Sequence, residues 1–124
     1  LRFLNKPYIF VHDTSSYMRI SIGKELREEK KDEYIVINPN NNLYEKGEPY
    51  YQLCQEMLEH PLTSYMSVIE NASEIHAVDS SFMCLIIGLN LDKVDVKKCY
   101  PRDTNFSYEE YSDKGFEIVR REWK

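Results

Sequence analysis

The stretch Glu74 to Leu89, EIHAVDSSFMCLIIGL, decides the reading of this chain. Ile75 to Val78 is a short run suited to a buried strand, and Asp79, Ser80 and Ser81 make a polar corner. The apolar run Phe82 to Leu89 follows, and burying it calls for a helix. A strand that turns through Asp-Ser-Ser into a helix predicts backbone N–H groups left unpaired at the helix start and pointing outward. Such a corner is suited to holding an anion, a phosphate above all.

Working outward, the same alternation of strand and helix recurs. Pro7 to Val11 (PYIFV) reads as a central parallel strand covered on both faces, and it ends in the polar series His12 to Ser16. The second half of Met18 to Lys31 reads as a charged, solvent-facing helix. Tyr34 to Ile37 (YIVI) is a second buried strand, stopped by Asn38-Pro39-Asn40-Asn41-Asn42. Pro49 to His60 and Leu62 to Ala72 carry apolar residues at helical spacing, the second with Thr63 or Ser64 as its cap. Beyond the opening stretch, Val94 to Cys99 is a short strand and Thr104 to Lys114 a loop or helical turn. Gly115 is a breaker before a last short strand, Phe116 to Val119. This order predicts an α/β fold, a Rossmann-like domain with a mostly parallel sheet flanked by helices.

The 124 residues fit a single domain, 1–124, and a start at Leu1 that soon enters a strand suggests part of a longer chain. A net charge of −5 argues against a general nucleic-acid or anionic-membrane surface, so a phosphate site has to be local. No apolar run reaches the roughly 20 residues of a membrane span. The 3 cysteines lack metal-ligand spacing and read as reduced thiols of a cytoplasmic protein, with Cys84 and Cys54 on apolar helix faces.

In such a sheet the polar strand ends gather on one edge: His12, Asp13, Ser15 and Ser16, then Asn38, then Asp79, Ser80 and Ser81, then Arg102. The set suits a phosphorylated, sugar-bearing or nucleotide ligand. Each member also has a purely structural reading. The Asp-Ser-Ser corner can be a helix cap, His12 and His76 can brace loops, and Arg102 can pair with Asp103. A metal site from His12, Asp13, His76 and Asp79 has no spacing that would pre-arrange it, and neither metal nor cofactor is expected. Glycine-rich dinucleotide loops, the phosphate-loop lysine and the glycine-flanked serine elbow are all absent.

The segments YIFVHD (Tyr8 to Asp13) and IENASEIHAVDSSF (Ile69 to Phe82), a strand ending near Arg102, and the terminal GFEIVRREWK together resemble the C-terminal half of GT-B-type glycosyltransferases of the fucosyltransferase-like kind. Ile69 to Phe82 is the most specific segment. The resemblance implies a donor-binding domain for a nucleotide-diphosphate sugar of GDP or UDP type. It implies His12 and Asp13 as catalytic cleft residues, and His76, Asp79, Ser80, Ser81 and Phe82 as substrate-binding residues. Arg102 joins them as a phosphate contact by its chemistry. An N-terminal acceptor-binding domain, or a partner chain in its place, is implied as well. Thr14 stands where the family pattern has a second acidic residue. The alternative is a non-catalytic Rossmann-like interaction domain in a larger assembly, for which the aromatic end of the chain, Phe116 and Trp123, would be a docking element.

Overall fold

The computed structural model describes residues 6–14, 20–30, 33–39, 41–58, 65–101 and 108–120, with the backbone alone at Ser81. Five strands alternate with helices across the described residues. In chain order they are β1 (Tyr8–His12), α1 (Ile22–Lys30), β2 (Ile35–Ile37), α2 (Tyr51–Met57), α3 (Tyr65–Glu70), β3 (Glu74–Val78), α4 (Ser81–Ile87), β4 (Val96–Tyr100), α5 (Glu109–Asp113) and β5 (Glu117–Ile118). All strand pairs are parallel and the order across the sheet is β2-β1-β3-β4-β5. The expected α/β, Rossmann-like class is therefore what the chain forms, in the doubly wound order that reverses direction at β1.

The continuous apolar runs end up in the middle of the sheet because only a strand covered on both faces can hide side chains that point alternately up and down. In β1 and β3 every residue is buried. Tyr8 and Phe10 point with Ile35, Ile37, Ile75, Ala77 and Cys99 into the larger core, which is closed by Cys54 and Met57 of α2, Tyr65, Val68 and Ile69 of α3, Met83 and Ile86 of α4, and Tyr111 of α5. Ile9, Val11, Val36, Val78 and Tyr100 face the other way, onto Ile22 and Leu26 of α1. Each fully buried aliphatic or aromatic side chain here contributes about 1.5–3 kcal/mol.

Two buried tyrosine hydroxyls of the larger core are satisfied by backbone carbonyls. The Tyr8 hydroxyl donates to the Val68 carbonyl at 2.5 Å, and Tyr65 donates to the Met57 carbonyl, tying α3 to the sheet and to α2. Burial pushes the Tyr8 hydroxyl up to about 12, and it does the same to the Cys54 and Cys99 thiols. These cysteines are inert fillers of the core.

Two expectations are corrected. Cys84 is exposed, because the inward stripe of α4 runs through Met83 and Ile86, at i and i+3, and the position directly after Met83 turns away from it. Phe116 is buried at 4% exposure, so it belongs to the core under α5 and is no part of an exposed aromatic tail. Trp123, and the caps Thr63 and Ser64, lie outside the described residues.

Gly115 joins α5 to β5 with φ at +92°, and a Cβ there would meet Lys97 Cε at 2.8 Å. Gly115→Ala is therefore expected to cost about 1–3 kcal/mol through left-handed strain. Equilibrium urea unfolding at neutral pH checks it; an unchanged midpoint would mean that the turn relaxes freely.

Candidate functional site

The first strand delivers His12 and Asp13 to the carboxyl edge of the sheet, and the strand alternation sends them to opposite faces. His12 follows Phe10 onto the side of α4, where its ring stacks on Phe82 with centroids 4.4 Å apart and planes at 16°. Phe82 lies in turn against Phe10, 5.9 Å away. His12 is 6% exposed, and its Nδ1 is buried with no hydrogen-bond partner among the described residues. Burial lowers its pKa below the ordinary 6.5 against the opposing pull of Asp13, so the ring is neutral at pH 7. A buried ring nitrogen without a partner costs free energy, typically about 1–3 kcal/mol.

Asp13 has a different occupation. Its Oδ2 accepts from the Gly23 N–H at 2.9 Å and its Oδ1 from Asn38 Nδ2 at 2.8 Å, with the Thr14 hydroxyl at 3.4 Å. The carboxylate thus caps the first turn of α1 from ten residues away and anchors the end of β2. Gly23 permits this approach, since a Cβ there would lie 3.0 Å from the same Oδ2. The anion at the start of α1 is supplied by the protein itself.

The corner after β3 is also partly engaged. Ser80 is an extended N-cap whose Oγ accepts from the Phe82 N–H at 3.2 Å, and its carbonyl accepts from the Met83 N–H at 3.0 Å. The expectation of outward, unpaired N–H groups is thereby corrected at Phe82 and Met83: a serine cap and a tight first turn take both. Asp79 accepts from the Tyr111 hydroxyl at 3.1 Å, holding α5 against the end of β3. Desolvation and the neighbouring Asp79 raise the Tyr111 pKa, keeping that hydroxyl a donor.

His76 sits elsewhere. It pairs in register with Val11 and Lys98, in the middle of the sheet and on the α1 face, whereas His12 is on the opposite face. Its Nε2 lies 2.9 Å from Glu74 Oε1 and its Nδ1 2.9 Å from the Tyr100 hydroxyl, while Lys30 Nζ lies 3.0 Å from Glu74 Oε2. Burial pushes the Glu74 carboxyl up, but hydrogen bonds from His76 and Lys30 outweigh it and hold it below 4.5. Burial lowers His76 below 6.5 despite Glu74. An ionised carboxylate only accepts, so Nε2 carries the proton and Nδ1 accepts from Tyr100.

The structure thus brings His12, Asp13, Asp79, Ser80 and Phe82 to one edge and keeps His76 away from it. Arg102 lies outside the described residues, as do Ser15 and Ser16, and the Ser81 side chain is not described. No group of His, Cys, Asp and Glu among the described residues could hold a metal, His12 and His76 being separated by the thickness of the sheet. The buried set Glu74–His76–Tyr100 was missed from the sequence, although Glu74 and His76 at i and i+2 of a strand share a face. No helix among the described residues is long and apolar enough to cross a membrane.

Fold and edge together define a doubly wound α/β domain whose strand order changes direction between β1 and β3, the position at which open α/β sheets in general bind ligands. Compared with protein-family models, curated proteins and solved structures, the chain matches none of them.

Proposed function

We propose that the chain binds the nucleotide diphosphate of a GDP- or UDP-sugar at the carboxyl edge of β1 and β3, as the donor-binding domain of a GT-B-type glycosyltransferase. The observation that carries this reading is His12, a neutral and nearly buried imidazole at the switch point whose Nδ1 has no partner among the described residues. Among the described residues it is the polar group at this edge that a ligand would satisfy. A neutral Nδ1 can accept from a ribose or sugar hydroxyl, or donate to a phosphate oxygen in the other tautomer.

The chemistry divides among the residues accordingly. Asp13 and Asp79 hold α1 and α5 in position around the crevice and act as positioning groups. His12 touches the ligand. The Ser81 N–H at the start of α4 and the Arg102 side chain supply the phosphate contacts that the sequence suggests, so that charge developing on the leaving diphosphate meets more than one donor. An acceptor-binding domain or partner chain completes the cleft. The domain by itself binds donor, and transfer belongs to the completed cleft.

Thermal unfolding in the presence of nucleoside diphosphates and their sugars at millimolar concentration tests this. A ligand at about 100 times its Kd adds about 2.7 kcal/mol and raises Tm by several degrees. His12→Ala and Arg102→Ala are expected to reduce the ligand-induced shift measured against each variant's own Tm. Ser81→Pro, which fits the first helical position but lacks the N–H, is expected to do the same. A panel in which no GDP, UDP or sugar derivative raises Tm rejects the reading.

A further inference from the structure

Strand alternation puts Phe10 and His12 on the same face of β1, two positions apart. Phe10 is held there from two sides: Tyr65 of α3 meets it edge-on with centroids 6.1 Å apart, and the Phe82 ring stacks on it at 5.9 Å. The same Phe82 ring stacks on His12 more closely, at 4.4 Å and with planes 16° apart. One side chain of α4 thus lies across both. Its placing is local, since Ser80 Oγ accepts from the Phe82 N–H at 3.2 Å and sets the first turn, from which an aromatic side chain leans back toward the helix start. Met83 and Ile86, fully buried behind it, anchor the helix to the sheet.

Rotation about the Cβ–Cγ bond of a histidine is broad and roughly two-fold, so the ring keeps one plane only where a contact sets it. A ligand-binding histidine is ordinarily set by a hydrogen bond at one nitrogen that leaves the other for the ligand. Nδ1 of His12 has no such bond among the described residues, and the contact that the structure shows against the ring is the face of Phe82.

We propose that Phe82 is a positioning residue for His12: its side chain holds the imidazole in one plane and shields it from water, and it acts on a ligand through His12 rather than by touching the ligand itself. The Asp-Ser-Ser-Phe corner then has a task besides starting a helix, because its serine cap aims the ring that fixes the histidine of the neighbouring strand. What His12 touches rests on the donor site proposed above; the hold of Phe82 on His12 does not. Shielding also bears on charge. Burial lowers the His12 pKa and Asp13, next in the chain, opposes it, so uncovering the face that Phe82 protects favours the protonated ring. The two carboxylates that β1 and β3 bring to this edge, Asp13 and Asp79, are engaged by α1 and α5 and stay in place when Phe82 is changed.

Nuclear magnetic resonance of the histidine ring protons in the ligand-free full chain tests it, with the His12 signals assigned by their loss in His12→Ala. In the wild type they are expected upfield of an unstacked histidine, with a titration midpoint below 6.5. Phe82→Leu, which keeps an apolar side chain at the position, is expected to move the signals downfield and the midpoint up, and Phe82→Tyr to keep both as in the wild type. Ile86→Val, a loss of packing in the same helix away from the stack, is expected to leave them unmoved. Signals indifferent to Phe82→Leu, or moved as far by Ile86→Val, overturn the proposal. With whichever of GDP or UDP the wild type binds, Phe82→Leu is expected to weaken binding about threefold or more, and to weaken it no further in a His12→Ala chain. Equal weakening with and without His12 also overturns the proposal, by making Phe82 a direct contact. The spectra need no ligand, so a chain that binds neither nucleotide rejects the donor site while they still decide whether Phe82 holds His12.

Discussion

Asp13→Ala is expected to destabilise the domain by about 2–5 kcal/mol at pH 7, because it strips a buried carboxylate from two donors that have no water to turn to. The Gly23 N–H would lose its acceptor at 2.9 Å and the Asn38 amide its bond to Asp13 at 2.8 Å, loosening the first turn of α1 and the end of β2. Asp13→Asn is expected to lose less, since one oxygen can still accept from one of the two. Equilibrium urea unfolding followed by far-UV circular dichroism measures both variants. Asp13→Ala with wild-type stability would return this residue to the list of groups available for chemistry. Gly23→Ala should shift stability in the same direction, since its Cβ would press on the same Oδ2.

The second large effect is expected at Glu74. Its carboxylate is 7% exposed at the side chain and joins His76 on β3 and Lys30 on α1, so Glu74→Ala leaves the His76 Nε2–H buried without an acceptor and costs about 3 kcal/mol. The loss should depend on pH in a defined way. Glu74 is held below 4.5 in the folded state, so the stability it contributes is present above 4.5 and is lost as pH falls through the folded value. His76 and His12 are held below 6.5, so on acidification the unfolded chain takes up their protons first. Wild-type stability therefore begins to fall near pH 6.5 and falls again in the carboxylate range. Glu74→Ala is expected to lack the Glu74 share of that lower step. Urea unfolding at pH 7, 5.5 and 4 resolves the two; parallel wild-type and mutant curves below pH 4.5 would mean that Glu74 contributes nothing as an ion.

These two residues mark where a reading of the chain alone stops. Asp13 follows a buried strand at the edge where ligands bind, and from the sequence it is indistinguishable from a cleft carboxylate. Its occupation is decided by Gly23, ten positions on, and by Asn38, twenty-five positions on. His76 lies within the most informative stretch of the chain and still belongs to a network on the other face, because strand alternation sends it the opposite way from His12. That alternation is local and could have been applied. The part played by Tyr100, twenty-four residues later, could not.

By itself the sequence determined the elements and their class. Runs such as PYIFV and YIVI, and apolar residues at helical spacing, encode burial locally, and a strand–helix alternation leaves few folds open. The capping serine of α4 is local in the same sense: the polar corner at Ser80 and the apolar run behind it announce the helix start, though the cap and the tight first turn also take the N–H groups of Phe82 and Met83. Only the tertiary structure decided the strand order, the burial of His12 beside Phe82, and the employment of Asp13 and Asp79 as struts. Each depends on which distant segments are brought side by side, and a polar group's role is set by the partner it meets there.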